Sequence, residues 1–183
     1  MPQPSSTNNL AIGKGILSIA LWAGGSIGSY EDMGNVNSLE IEPTLERLPH
    51  YSSRSGFRTK DKNPIIQTEY VLNFVAEEIA AANLNRFLLG SLQNATTVLG
   101  LMGTNAEYAC RFISDNPLGP NQTWDFWKLT LSPNGAMQLI GEEWMSMSFT
   151  GEGLADTGGH PTSPYFTVVT TENTSTTTTT TTT

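Results

Sequence analysis

Val36-Asn37-Ser38-Leu39-Glu40-Ile41-Glu42-Pro43-Thr44-Leu45-Glu46 decides how the rest of the chain is read. Leu39, Ile41 and Leu45 fall on one side of a period-two pattern, and Glu40, Glu42, Thr44 and Glu46 fall on the other. That is the alternation of a strand with one face in a core and one in water. Ile65 to Val75 repeats the design, with Ile66, Tyr70, Leu72 and Phe74 facing one way and Gln67, Glu69, Val71 and Asn73 the other. Each strand carries a polar face as long as its apolar one.

Outward from this pair, the same period predicts further strands. Ile16 to Trp22 is closed by a Gly24-Gly25 turn, and Glu107 to Ser114 precedes a loop from Asp115 to Asn121 that holds two prolines. Thr123 to Leu131 follows, and Asn134-Gly135 signals a hairpin leading into a strand from Ala136 to Phe149. Tyr165 to Val169 supplies a last strand. Glu77 to Leu89 is the one helical segment: Ala80, Leu84, Phe87 and Leu88 form a stripe, Glu77 and Glu78 suit a helix start, and Gly90 suits a helix end. The chain therefore reads as mainly β with one flanking helix and no internal repeat.

Composition narrows the functional classes. The 183 residues carry 9 basic and 17 acidic side chains, a net charge of −8, which disfavours any grip on nucleic acid built on phosphate neutralisation. Only 14% of residues are charged, so much of the polar surface is Thr, Ser and Asn, a surface suited to subunit contacts. The first residues have neither the basic nor the apolar region of a secretory leader, and no apolar run is long enough for a membrane helix, so cytoplasmic synthesis without membrane partners is expected. One cysteine, Cys110, and two histidines, His50 and His160, give no zinc spacing and no intrachain disulfide. No cofactor is expected.

Three stretches differ from the rest. Residues 1–12 form a Pro-, Ser- and Asn-rich arm, and residues 167–183 form a tail with twelve threonines ending in a run of eight, leaving 13–166 as the folded domain. Residues 47–62 hold Arg47, Arg54, Arg58, Lys60 and Lys62 against one acid, Asp61, so the segment is locally +4 and the remainder is −12. A coreless connection of that length is usually functional.

The chemical motifs are weak. Gly24-Gly25-Ser26-Ile27-Gly28 fits G-x-S-x-G, but no amphipathic helix follows to make a nucleophile elbow, and no base lies nearby in sequence. Gly13-Lys14-Gly15 lacks the spacing of a phosphate loop. Glu142-Glu143, or Glu40 with Glu42, could hold a divalent cation or work as an acid/base pair, yet a solvated acidic face explains them better. Trp124, Trp127 and Trp144 could form a sugar-binding platform, although core or interface packing is the commoner fate of such residues. The sequons at Asn94 and Asn121 have no secretory route to use. No enzymatic activity is expected.

The order of several segments resembles a known family. Gly13-Lys14-Gly15-Ile16-Leu17 opens a strand, Asp32-Met33-Gly34-Asn35-Val36 leads into Leu39-Glu40-Ile41-Glu42, and His50-Tyr51-Ser52-Ser53-Arg54-Ser55-Gly56 and Lys60-Asp61-Lys62 follow. Then come Glu77-Glu78-Ile79-Ala80-Ala81-Ala82-Asn83-Leu84 and, after Asn134-Gly135, Glu142-Glu143-Trp144. Over roughly residues 11–155 this arrangement is similar to the tail tube, or major tail, proteins of long non-contractile-tailed bacteriophages. The Thr-rich end departs from that family.

The resemblance implies a β-sandwich or barrel-like subunit with a flanking helix, extended terminal arms and a long loop between the second and third strands, here 47–62, that reaches the adjacent ring through Arg47, Arg54, Arg58, Lys60 and Lys62. It implies homohexameric rings stacked into a tube in the virion tail. The tape measure protein would lie inside during assembly, tail terminator and tail tip proteins would close the ends, and genomic double-stranded DNA would pass through without specific binding. Net acidity suits such a conduit, because a like-charged wall leaves DNA hydrated and mobile. Glu40, Glu42, Gln67, Glu69 and Asn73 are then the expected lumen-lining residues. Two other readings stand beside this one: a β-sandwich carbohydrate-binding or adhesin module, and the tube protein of a contractile or secretion-system particle.

Overall fold

The alternation at Val36 to Glu46 becomes the edge strand of a nine-stranded sheet. In the structure, a computed structural model, residues 10–54, 56–103 and 106–171 are described. In chain order the elements are β1 (Gly15–Ala23), β2 (Ser26–Ile27), β3 (Glu31–Asp32), β4 (Val36–Arg47), β5 (His50–Ser52), β6 (Thr59–Lys62), β7 (Ile65–Ala76) and α1 (Ala81–Phe87). They continue as β8 (Ser91–Asn94), β9 (Thr97–Leu99), β10 (Glu107–Ser114), β11 (Asn121–Pro133), β12 (Met147–Gly153) and β13 (Phe166–Thr171). The sheet order is β2-β1-β10-β11-β12-β7-β4, with β3 added to β1 and β13 to β11, and its strand pairs are antiparallel.

One sheet supplies both layers of the expected sandwich. Leu39, Ile41 and Leu72 from the β4/β7 end and Phe112, Gln122, Trp124 and Phe126 from β10/β11 line a common cavity of about 190 Å³, so strands far apart in the sheet order face each other. Between the layers lie Leu17, Ile19, Leu72, Phe74, Cys110, Phe126, Leu129, Met147 and Phe149, all buried. Each of the Leu, Ile, Phe and Met side chains among them contributes about 1.5–3 kcal/mol through burial.

The barrel does not close. Ser18↔Asp32 and Ile19↔Glu31 pairing puts β3 on the outer edge of β1, the Met33 N–H donates to the Leu17 carbonyl at 3.0 Å, and Gly34, at φ 76°, then turns the chain away into β4. The edge that β4 would need is therefore occupied by the residues just before it. A cleft of about 400 Å³ lined by Lys14, Gly15, Leu17, Val36, Leu39 and Phe112 separates β1 from β4.

A bulge in β11 explains why its alternation fails in the middle. Cys110 pairs with Phe126, but Tyr108 pairs with Leu129, so Trp127 and Lys128 together oppose a single residue. The first half of β11 pairs with β13 and the second half with β12, on the same edge. The extra twist at the bulge sends the two partners apart, which folds the sheet over its core.

The helix is shorter than its stripe predicts, covering Ala81–Phe87 only. The Glu77 N–H donates to the Asn35 carbonyl at 2.9 Å, and its carboxylate accepts from the Asn35 and Asn37 amides, which holds the chain extended beyond β7. Those bonds outweigh the ~0.3–1 kcal/mol that a carboxylate at a helix start contributes. Gly90 is required by packing: a Cβ there would sit 2.6 Å from the Leu99 carbonyl oxygen, and the left-handed residue is Leu89, at φ 46°.

The Asn134-Gly135 signal does not make a two-residue hairpin. β12 begins at Met147, and residues 134–146 form a loop whose start is held by the Asn134 N–H donating to the Ser148 carbonyl at 2.8 Å. Met137 packs back on the core, and the Gln138 amide fills the space beside Gly141 and donates to the Ile140 carbonyl at 3.0 Å, so the segment folds on itself instead of extending.

Residues 1–9 and 172–183, most of the two expected terminal segments, lie outside the described residues. Residues 10–12 are fastened by buried Asn116, which donates to the Leu10 carbonyl at 3.0 Å. Thr167–Thr171, the start of the Thr-rich tail, belongs to β13 and pairs with β11 from Asn121 to Asp125. Cys110 on β10 is fully buried, and burial pushes its thiol up to about 12. Native protein at pH 8 is therefore expected to resist iodoacetamide and to label only once unfolded in guanidinium; rapid native labelling would mean that β10 opens.

Candidate functional site

The polar faces of β4 and β7 are brought onto one surface by their register. Glu40 pairs with Asn73, Glu42 with Val71, Thr44 with Glu69 and Glu46 with Gln67, so Glu40, Glu42, Gln67, Glu69 and Asn73 share one face of the hairpin. The Gln67 amide donates to the Glu69 carboxylate. Leu39↔Phe74 and Ile41↔Leu72 pair on the opposite face, where Phe74 and Leu72 are buried in the core and Leu39 and Ile41 pack against it.

The sheet extends this face further than β4 and β7 alone. Thr150 of β12 stands beside Asn73, donating its hydroxyl at 2.8 Å, and Ser132 of β11 stands beside Thr150. A second row runs Glu42, Val71, Glu152, Thr130, Glu107 across five strands. Adjacent strands lie about 4.8 Å apart, so Glu42 and Glu152 are separated by about 10 Å. Lys128 at the bulge is committed to Glu107 at 3.0 Å and to the Trp22 ring at 4.1 Å. Glu107, Thr130, Ser132, Thr150 and Glu152 were not singled out by sequence. The signal was present in β12, where buried Met147, Phe149 and Gly151 alternate with Ser148, Thr150 and Glu152.

The basic segment forms a two-stranded hairpin. His50↔Lys62, Tyr51↔Lys60 and Ser52↔Thr59 form the β5–β6 ladder, and the Leu48 N–H donates to the Pro64 carbonyl at 3.1 Å, so the arm continues the β4–β7 hairpin beyond the core. Arg47 donates to the Asn63 carbonyl at 3.2 Å, Arg58 lies over the Tyr51 ring at 5.5 Å, and His50 Nδ1 lies 2.5 Å from Asp61. Arg54, Lys60 and Lys62 are exposed, as are the apolar Leu48, Tyr51 and Phe57.

Residues 10–100 match the family described as "Protein of unknown function UCP028589". That span holds β1 to β9, and with them the arm and the acidic hairpin. No curated protein matches the sequence. Among solved structures, the chain is similar to one in the tail of an empty GTA particle, with 14% identity and a TM-score of 0.37 over 74% of this chain and 89% of that one. A chain of the anti-feeding prophage (AFP) baseplate, 6-fold symmetrised, gives 12% identity and 0.45 over 92% and 97%. A chain of the PVC extracellular contractile injection system sheath/tube terminator, extended state, gives 8% identity and 0.42 over 90% and 99%.

The motifs resolve into structural roles. Gly24 and Gly25, at φ 61° and 83°, form the turn between β1 and β2, and the Ser26 hydroxyl donates to the Ala23 carbonyl at 3.2 Å; the segment is strand-turn-strand, without the helix of a nucleophile elbow. The tryptophans occupy three different settings. Trp124 stacks on Phe126 and Phe166, Trp127 stacks on His160 with ring centroids 3.7 Å apart, and Trp144 is exposed. Asp156 accepts from the Gly159 N–H at 3.0 Å and lies 2.8 Å from His160 Nδ1, two contacts that hold its carboxyl below the usual carboxylate range. Asn94 Oδ1 accepts from the Thr96 N–H at 2.9 Å, closing the β8–β9 turn. Among the described residues no group of three or more His, Cys, Asp or Glu is gathered as a metal site.

Proposed function

We propose that this chain is a structural subunit of a phage tail tube, assembling as hexameric rings that stack around a central channel. The observation that carries the reading is the acidic face running from Glu40 and Glu42 through Glu69 to Glu152, built on a sheet whose edge strand β4 has, among the described residues, no partner along its outer side. An unpaired edge strand of that length is a template for another copy, and closing it into a ring removes the hazard it poses to a lone subunit. In the ring, Glu40, Glu42, Gln67, Glu69, Asn73 and Glu152 line the channel and repel the phosphates of passing DNA. The segment order described above supports the phage version of such a tube. The tape measure protein fills the channel before DNA does, and the terminator and tip proteins cap the ends in the virion.

Negative-stain microscopy of the purified protein, at low and high concentration and with no other tail component, tests the reading. Hollow filaments or six-fold rings are the expected result. Discrete monomers or dimers with affinity for immobilised sugars would replace this reading with the carbohydrate-binding one. Removing residues 52–59, the distal part of the arm, is expected to leave the circular-dichroism spectrum and melting of the subunit unchanged while rings fail to stack. Filaments of ordinary length from that deletion would remove the arm from the ring-to-ring contact.

A further inference from the structure

At the end of the molecule opposite the arm, the loop 134–146 holds Leu139, Ile140 and Trp144 in water, with exposures of 71%, 92% and 92%. Glu142 and Glu143 lie between Ile140 and Trp144 and are exposed as well, and the loop contains no basic residue. We propose that this acidic, apolar loop is the docking surface for the basic, apolar arm of a second copy of this chain. The proposal rests on the tube reading and names the acceptor that reading leaves open.

The two surfaces match in kind. The arm carries a local charge of +4 and presents Phe57, 86% exposed, with Leu48 and Tyr51. The loop offers two carboxylates and three large apolar side chains with no cover. The channel-side face formed by Glu40, Glu42, Glu69 and Glu152 is also acidic, but its row contains no large exposed apolar residue to receive Phe57. Burying the apolar groups supplies the drive, while the charges set orientation and exclude mismatched faces.

The contact cannot form within one molecule. Met147, which follows the loop, pairs with Ala76, whereas Ile65 at the other end of β7 pairs with Arg47 at the base of the arm. The 12 residues of β7 hold the two ends roughly 36 Å apart. Arm and loop therefore meet only between copies, and because the two surfaces differ the contact is heterologous, open-ended when it runs from one ring to the next along the tube axis.

Three variants test the proposal against wild type, by sedimentation and microscopy over a concentration series. Glu142→Lys with Glu143→Lys is expected to raise the concentration needed for assembly about tenfold or more, and Arg54→Glu with Arg58→Glu to do the same. Combining the two reversals is expected to recover assembly in part, which a merely damaged fold would not do; unchanged melting of each variant verifies folding. Separately, Phe57→Cys with Ile140→Cys is expected to give a ladder of disulfide-linked multimers that collapses on reduction, since Cys110 is buried and does not compete. Assembly that is indifferent to both charge reversals, in the loop and in the arm, with no ladder, overturns this contact while leaving the tube reading intact. A wild-type chain that stays monomeric at every concentration overturns both.

Discussion

Particles rebuilt with Glu40, Glu42, Glu69 and Glu152 all changed to lysine are expected to assemble normally and to release DNA at least about tenfold more slowly at low salt. The four changes move the subunit from −8 to neutral, and all of them fall on one face of β4, β7 and β12. Each residue is exposed and lies outside the core, where surface substitutions usually cost within about 0.5 kcal/mol. A wall of lysines instead pairs with phosphate and holds the DNA by counterion release, a term that falls steeply with salt. Release is therefore expected to recover as ionic strength rises, and that salt dependence separates retention from a physical block. Unchanged release at low salt would place this face on the outside of the tube.

Phe149→Ala is expected to be the most destabilising single core change, about 3–5 kcal/mol in urea or thermal unfolding. Phe149 is completely buried, stacks on Phe74 with centroids 4.9 Å apart, and meets the edge of Phe87 at 5.6 Å, so it joins β12 to β7 and to the helix at once. Little in that neighbourhood can collapse into the cavity, because the surrounding side chains are fixed by three separate elements. Phe57→Ala is the contrasting case: at 86% exposure it should leave subunit stability within about 0.5 kcal/mol of wild type and show its cost only in assembly. A small loss at Phe149 would mean that the two layers are less tightly joined than the ring contacts imply.

Period-two alternation is a local property, written in neighbouring residues, and it was legible wherever a strand had one dry face. β1, β4, β7, β10 and the core side of β11 could all be read this way, and so could the five polar residues shared by β4 and β7, because their parity along each strand settles their face. The charge contrast between residues 47–62 and the rest is equally a matter of counting. Other features depended on partners distant in the chain. Asn35 and Asn37 take up Glu77 and shorten the helix, β3 blocks the edge that β4 would need to close a barrel, and Trp127 with Lys128 forms a bulge visible only against β10. Glu152 and Glu107 joined the acidic face because β12 and β10 take particular registers beside β7 and β11, and strand register depends on cross-strand packing that no single segment encodes. The Asn134-Gly135 signal failed for the same reason: the pull of the core on Met137 and the fold of Gln138 over Gly141 outweighed a local turn preference. The residues alone thus established the strands, their wet and dry faces and the segregation of charge. Which faces merge into one surface, and which apolar side chains remain uncovered, was decided by long-range pairing.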